Sequence, residues 1–147
     1  MVARSSYPMS YIGAAQARID AQVAAFDLVR EPNPGFESIY FNNMVIVLDS
    51  FFANRMLEVE GRDGNALNEV RMLVASMTAG DSLVDDPAIK YKASSSILGL
   101  AIGAPIAIMR QSFAALASAF FVELEKRFGA EDEPVEAAAV PDSMYLE

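Results

Sequence analysis

The chain has 147 residues, 53% of them apolar and 21% charged, a size that predicts a single domain with its own core. It has no cysteine and no histidine, which excludes disulfides, iron–sulfur clusters, zinc ribbons, thiol nucleophiles and every catalytic or haem arrangement that needs imidazole. Eleven basic against twenty acidic residues give a net charge of −9, which argues against nucleic acid or an anionic membrane as partner.

Arg4 and Ala15-Gln16-Ala17 imitate the ends of an export signal, but Ser5, Ser6, Tyr7, Pro8 and Ser10 break the apolar stretch between them, so a cytoplasmic location is expected. From Met9 to Arg30, apolar side chains at Ile12, Ala15, Ile19, Val23 and Phe26 recur three or four apart, the stripe of an amphipathic helix, with Ser10 as a candidate N-cap. Pro32, Pro34 and Gly35 stop it. From Phe36 to Glu60 the chain is apolar nearly all round, which predicts a helix buried on every side or, over Met44 to Leu48, a strand. In a domain this small one central helix can be wrapped by its neighbours, but a second copy covers the remainder more easily. A homodimer is therefore expected, with Phe41, Met44, Leu48 and Phe52 in its interface.

Gly61 to Asn65 is a turn, with Asn65 placed to cap a helix over Ala66 to Thr78 that Gly80 ends. Ala93 to Met109 is uncharged, but it is too short and too rich in serine, glycine and proline to span a membrane. Within it, Ile97 to Met109 alternates apolar and small residues on both sides of Gly103-Ala104-Pro105, which predicts a β-hairpin, with a buried helix broken at Pro105 as the competitor. Gln111 or Ser112 starts a last helix that runs to Phe128, closed by Gly129. The expected fold is mainly α, a four-helix bundle-like domain over 1–130 with a small β-hairpin between the third and last helices. The tail over 131–147 carries six acids and no base, is expected to be flexible, and leaves 1–130 at only −3.

Arg55 to Arg71, RMLEVEGRDGNALNEVR, concentrates nine charged or amide-bearing residues between two apolar segments. One reading is a set of helix caps and ion pairs. The other is an anion pocket in which the positive end of the helix from Ala66 joins Arg55, Asn68, Arg71, Lys90 and Lys92 to hold a phosphate or carboxylate. Asp63-Gly64-Asn65 lacks the spacing and the closing glutamate of a calcium loop, and Gly99 to Gly103 is not followed by the lysine of a phosphate loop. No metal, cofactor or catalytic residue is expected. Asp49, Asn42 and Asn43 sit within an apolar stretch and need partners. Asp49 is six residues from Arg55, off the helical spacing, so its partner is expected on another element or another chain.

The stretches EGRDGNALNEVRMLVASM, IKYKASSSILGLAIG and SFAALASAFFVELEKRF, covering Phe51 to Phe128, resemble a family of small, mostly helical bacterial proteins. The resemblance implies a helical fold and carries no activity, cofactor or site residue across. Helical ribonucleases of the HEPN type need a histidine shortly after an arginine, and this chain has none. The function expected is that of a non-catalytic, homodimeric interaction or small-ligand-binding protein. The alternatives are an enzyme or sensor that takes an anionic metabolite on Arg55, Arg71 and Lys90, and an adaptor or antitoxin-like protein acting through its acidic tail.

Overall fold

The computed structural model describes residues 2–133, which form a mainly helical domain around one hydrophobic core. Helix α1 (Met9–Asp27) buries Ile12, Ala15, Ile19 and Phe26, the stripe its spacing predicts. Ser10 does not cap it. Pro8 precedes the helix, and the Ser10 N–H donates to Asp132 Oδ1 at 3.0 Å, so the first residues after the last helix dock on its opening turn.

Helix α2 (Pro34–Ser50) begins with Pro34 in its first turn and Asn33 as cap, Asn33 accepting from the Gly35 N–H at 2.7 Å. The helix expected to continue to Glu60 instead breaks after Ser50, turns through Phe51–Asn54, and resumes as the single turn α3 (Leu57–Glu60). The N-terminal segment takes over the backbone bonding at the break. The Arg4 N–H donates to the Asn54 carbonyl, the Met56 N–H donates to the Arg4 carbonyl, both at 2.8 Å, and the Tyr7 hydroxyl donates to Asn54 Oδ1.

The interface residues expected in this segment are corrected too. Phe41, Met44, Leu48 and Phe52, expected to face a second copy, are between 0 and 3% exposed and lie inside the protomer's own core. Phe41 packs on Phe26 and Phe113, and Phe52 on Tyr7, Phe120 and Phe121. Each such ring removed from water contributes roughly 1.5–3 kcal/mol. What α2 leaves uncovered is the opposite face, Phe36, Ile39 and Ile46.

Helix α4 (Ala66–Ala79) starts at Asn65 as predicted, Asn65 Oδ1 accepting from the N–H groups of Leu67 and Asn68, and Gly80 follows its last residue. Helix α5 (Arg110–Phe128) buries Phe113, Leu116, Ala117, Phe120, Phe121, Leu124 and Phe128, and packs against all the others. Two short strands, β1 (Tyr7–Pro8) and β2 (Gly129–Ala130), pair in parallel and fix the start of α1 beside the end of α5.

The β-hairpin expected over Ile97 to Met109 is not formed. After a 3₁₀ turn at Ala93–Ser95 the chain runs as an irregular loop that meets Asp81–Leu83 in an isolated antiparallel bridge between Ser82 and Pro105, where the Leu83 N–H donates to the Ala104 carbonyl, the Gly103 N–H to the Leu83 carbonyl and the Ile106 N–H to the Asp81 carbonyl. Side chains supply the other bonds. Glu69 accepts the Ile97 and Leu98 N–H groups, and Asn42 both donates to the Ile106 carbonyl and accepts the Ile108 N–H. The alternation read as a hairpin reports Ile106 and Ile108 turned inward, with Pro105 and Ala107 turned out. Among the described residues no helix is long and apolar enough to cross a membrane.

Candidate functional site

The polar stretch from Arg55 to Arg71 folds onto itself. The break after α2 turns Arg55 inward, α3 carries Glu60 beneath it, and the first turns of α4 bring Asn68 and Arg71 to the same point. Gly61 and Gly64 make the return possible, both at φ +86, where a side chain would be strained; a Cβ on Gly64 would stand 2.5 Å from the Lys90 carbonyl oxygen.

The centre of the cluster is Glu60, which the sequence did not single out. Its side chain is 0% exposed, and both oxygens are occupied. Arg55 Nε donates to Oε1, Arg71 donates from Nη2 to Oε1 at 2.9 Å and from Nε to Oε2 at 3.0 Å, and the Asn68 amide donates to Oε2. Arg55, itself 4% exposed, also reaches Asp49 Oδ1 at 2.7 Å and the carbonyls of Phe52 and Leu67 at 3.1 Å. Burial pushes the Glu60 carboxyl upward, but the Arg71 hydrogen bonds and the Arg55 charge together outweigh it, and the net shift is downward. Arg71 is held above its ordinary value first by its hydrogen bonds to Glu60.

The anion that the arginines were expected to take from solution is thus supplied from within. Arg55, Asn68 and Arg71 come together as predicted. Lys90 and Lys92 do not join them: both side chains are exposed, and among the described residues neither makes a hydrogen bond or ion pair. Asp49 meets Arg55 despite the spacing of six residues, because the helix ends between them and helical distances no longer apply. Asn42 finds its partners in the loop before α5, while Asn43 is exposed.

A second buried carboxylate lies one turn into α4. Glu69 accepts the Ile97 N–H at 2.8 Å and the Leu98 N–H at 2.9 Å, and among the described residues no cation faces it. Burial raises its pKa, and the two N–H bonds offset the rise only in part. Neither carboxylate has a free oxygen directed at a substrate. Among the described residues no buried side-chain nitrogen or oxygen lacks a hydrogen-bond partner, and no three acidic side chains gather as a cation site.

Outside this cluster, a groove of about 380 Å³ runs between α1 and α5 over a floor of Ile19, Phe113 and Phe121. Arg110 closes one end through a two-pronged pair with Asp27, at 2.7 Å on each oxygen. No family model, no curated protein and no solved structure matches this chain, so likeness brings it no activity, ligand or partner.

Proposed function

We propose that this is a cytoplasmic, non-catalytic, homodimeric protein that works by binding rather than by chemistry. One observation carries the reading: among the described residues, the guanidinium pair of Arg55 and Arg71 is already matched by two of the chain's own carboxylates, Glu60 and Asp49, which leaves neither free to polarise or hold a substrate. The two buried carboxylates, which would otherwise be the candidate acids and bases, have both oxygens bound inside the fold.

A thermal-shift series with inorganic phosphate and succinate tests this, since a ligand of the native state raises the melting temperature by mass action. No shift is expected. A shift of several degrees that Arg71→Ala abolishes would overturn the reading in favour of an anion-binding enzyme or sensor. A second reading, a small-ligand protein, is favoured by the α1–α5 groove, whose volume falls in the range of ligand pockets, roughly 300–1,000 Å³. The acidic-tail alternative concerns a segment of which 134–147 lie outside the described residues, and co-purification with and without 131–147 tests it.

A further inference from the structure

We infer that two copies of this chain meet through the outer face of α2, antiparallel about a two-fold axis that passes beside Asn43; this rests on the homodimeric reading above. The face is set by the helix itself. Phe41, Met44, Val45 and Leu48 point into the core, and diametrically opposite them Phe36, Ile39, Asn43, Ile46 and Ser50 form one exposed stripe at helical spacing, with Ile39 64% exposed.

Three properties make a second copy the occupant. The first is charge. α2 has only two charged residues, and both are engaged elsewhere: Glu37 accepts the Arg110 N–H, and Asp49 pairs with Arg55. On one flank the stripe borders the Ile106–Ile108 strand of loop, held by Asn42, whose outward residues Pro105 and Ala107 are also neutral. On a chain of net charge −9, a neutral face is where two copies approach with the least repulsion.

The second is symmetry. Asn43 lies at the middle of the 17-residue helix, with Ile39 and Ile46 to either side. An antiparallel pair sets Ile39 against Ile46 of the partner subunit, and Ile46 against Ile39 of the partner subunit, so the same patch serves both copies as a closed two-fold contact requires. The third is the polar centre. An amide carries donors and an acceptor together, so two Asn43 side chains satisfy each other across the axis and fix the register, as a single asparagine does in helical dimers. The contact is confined to one 17-residue helix and its flank, so the association is expected to be reversible and to depend on concentration.

Light scattering on the full chain from low to high micromolar concentration, with thiol capture, tests it. The wild type is expected to rise twofold from 15.9 kDa, and Ile39→Glu to stay at 15.9 kDa, with the two melting at the same temperature at low concentration where both are monomers. The chain has no cysteine, so Asn43→Cys introduces a single thiol, and a short bis-maleimide is expected to capture it as a covalent dimer while leaving Ser118→Cys on α5 monomeric. A dimer that survives Ile39→Glu, or is captured at 118 and not at 43, overturns the α2 pairing and leaves the homodimer standing. A mass of 15.9 kDa at every concentration overturns both.

Discussion

Glu60 and Glu69 are the same residue type at the same depth, on either side of the α4 N-terminus, yet they are neutralised by opposite means. Glu60 meets two guanidinium groups and an amide; Glu69 meets two backbone N–H groups and no cation. The first carboxyl is held below the ordinary range by its hydrogen bonds and charges, which overcome its burial; the second is raised by burial. Depth alone does not decide which way a carboxyl shifts. The partner does, because a full opposite charge offsets lost hydration where a pair of amide dipoles offsets only part of it.

The sharpest way to break the comparison is Glu60→Gln, which leaves Arg55 buried against a neutral amide. We expect a loss of about 3–5 kcal/mol of stability by urea unfolding, and a loss below about 1 kcal/mol would mean that the cluster is solvated. Arg71→Ala should cost less, about 1–2 kcal/mol, because Arg71 is 30% exposed and Arg55 still faces Glu60; in the same variant the Glu60 carboxyl should titrate higher. Glu69→Gln should likewise cost about 1–2 kcal/mol, since one of the two loop N–H groups loses its acceptor. Amide exchange at Ile97 and Leu98 should quicken in that variant while exchange in α5 does not.

The pH dependence separates the two carboxylates by sign. With a lowered native pKa, Glu60 contributes stability that is full above the ordinary glutamate value of 4.5 and is lost as pH falls through its native value. With a raised native pKa, Glu69 works the other way: its ionised form costs stability at high pH, and that cost is relieved as pH falls. Unfolding free energies measured between neutral pH and acid should therefore fall less steeply in Glu60→Gln than in the wild type, and more steeply in Glu69→Gln. Equal slopes in all three would remove the distinction. The smallest effect belongs to Ile39→Glu, within about 0.5 kcal/mol when measured at a concentration where the chain is monomeric, because in the monomer the side chain it replaces is already in water.

Much of the helical framework was legible. The stripe of α1, the cap at Asn65, the stop at Gly80 and the aromatic face of α5 all follow from spacing and capping chemistry, which are local. The polar stretch was legible as a cluster, and its three members Arg55, Asn68 and Arg71 do converge. Its centre was not. Glu58 and Glu60 are two residues apart in the same run, and only the break after Ser50 turns Glu60 inward and leaves Glu58 exposed. At that break Arg4 bonds across to Asn54 and Met56, a contact that no window around Phe51 contains. The hairpin failed for a related reason. Alternating apolar residues report which side chains turn inward, and the bonds that a second strand would have made come from the Glu69 and Asn42 side chains and from the backbone of Asp81 and Leu83, all outside the stretch.

The sequence by itself determined that this is a mainly helical chain without thiol or imidazole chemistry, that α4 starts at the Asn65 cap, and that a tight group of charges lies between two apolar segments. Only the tertiary structure decided that those charges cancel one another inside, and that the face of α2 left in water is Phe36, Ile39 and Ile46 rather than Phe41, Met44 and Leu48. The physical reason is range. Helical propensity and caps act over a few residues, whereas a charge is neutralised, and a helix face is covered, by whatever the rest of the fold brings beside it.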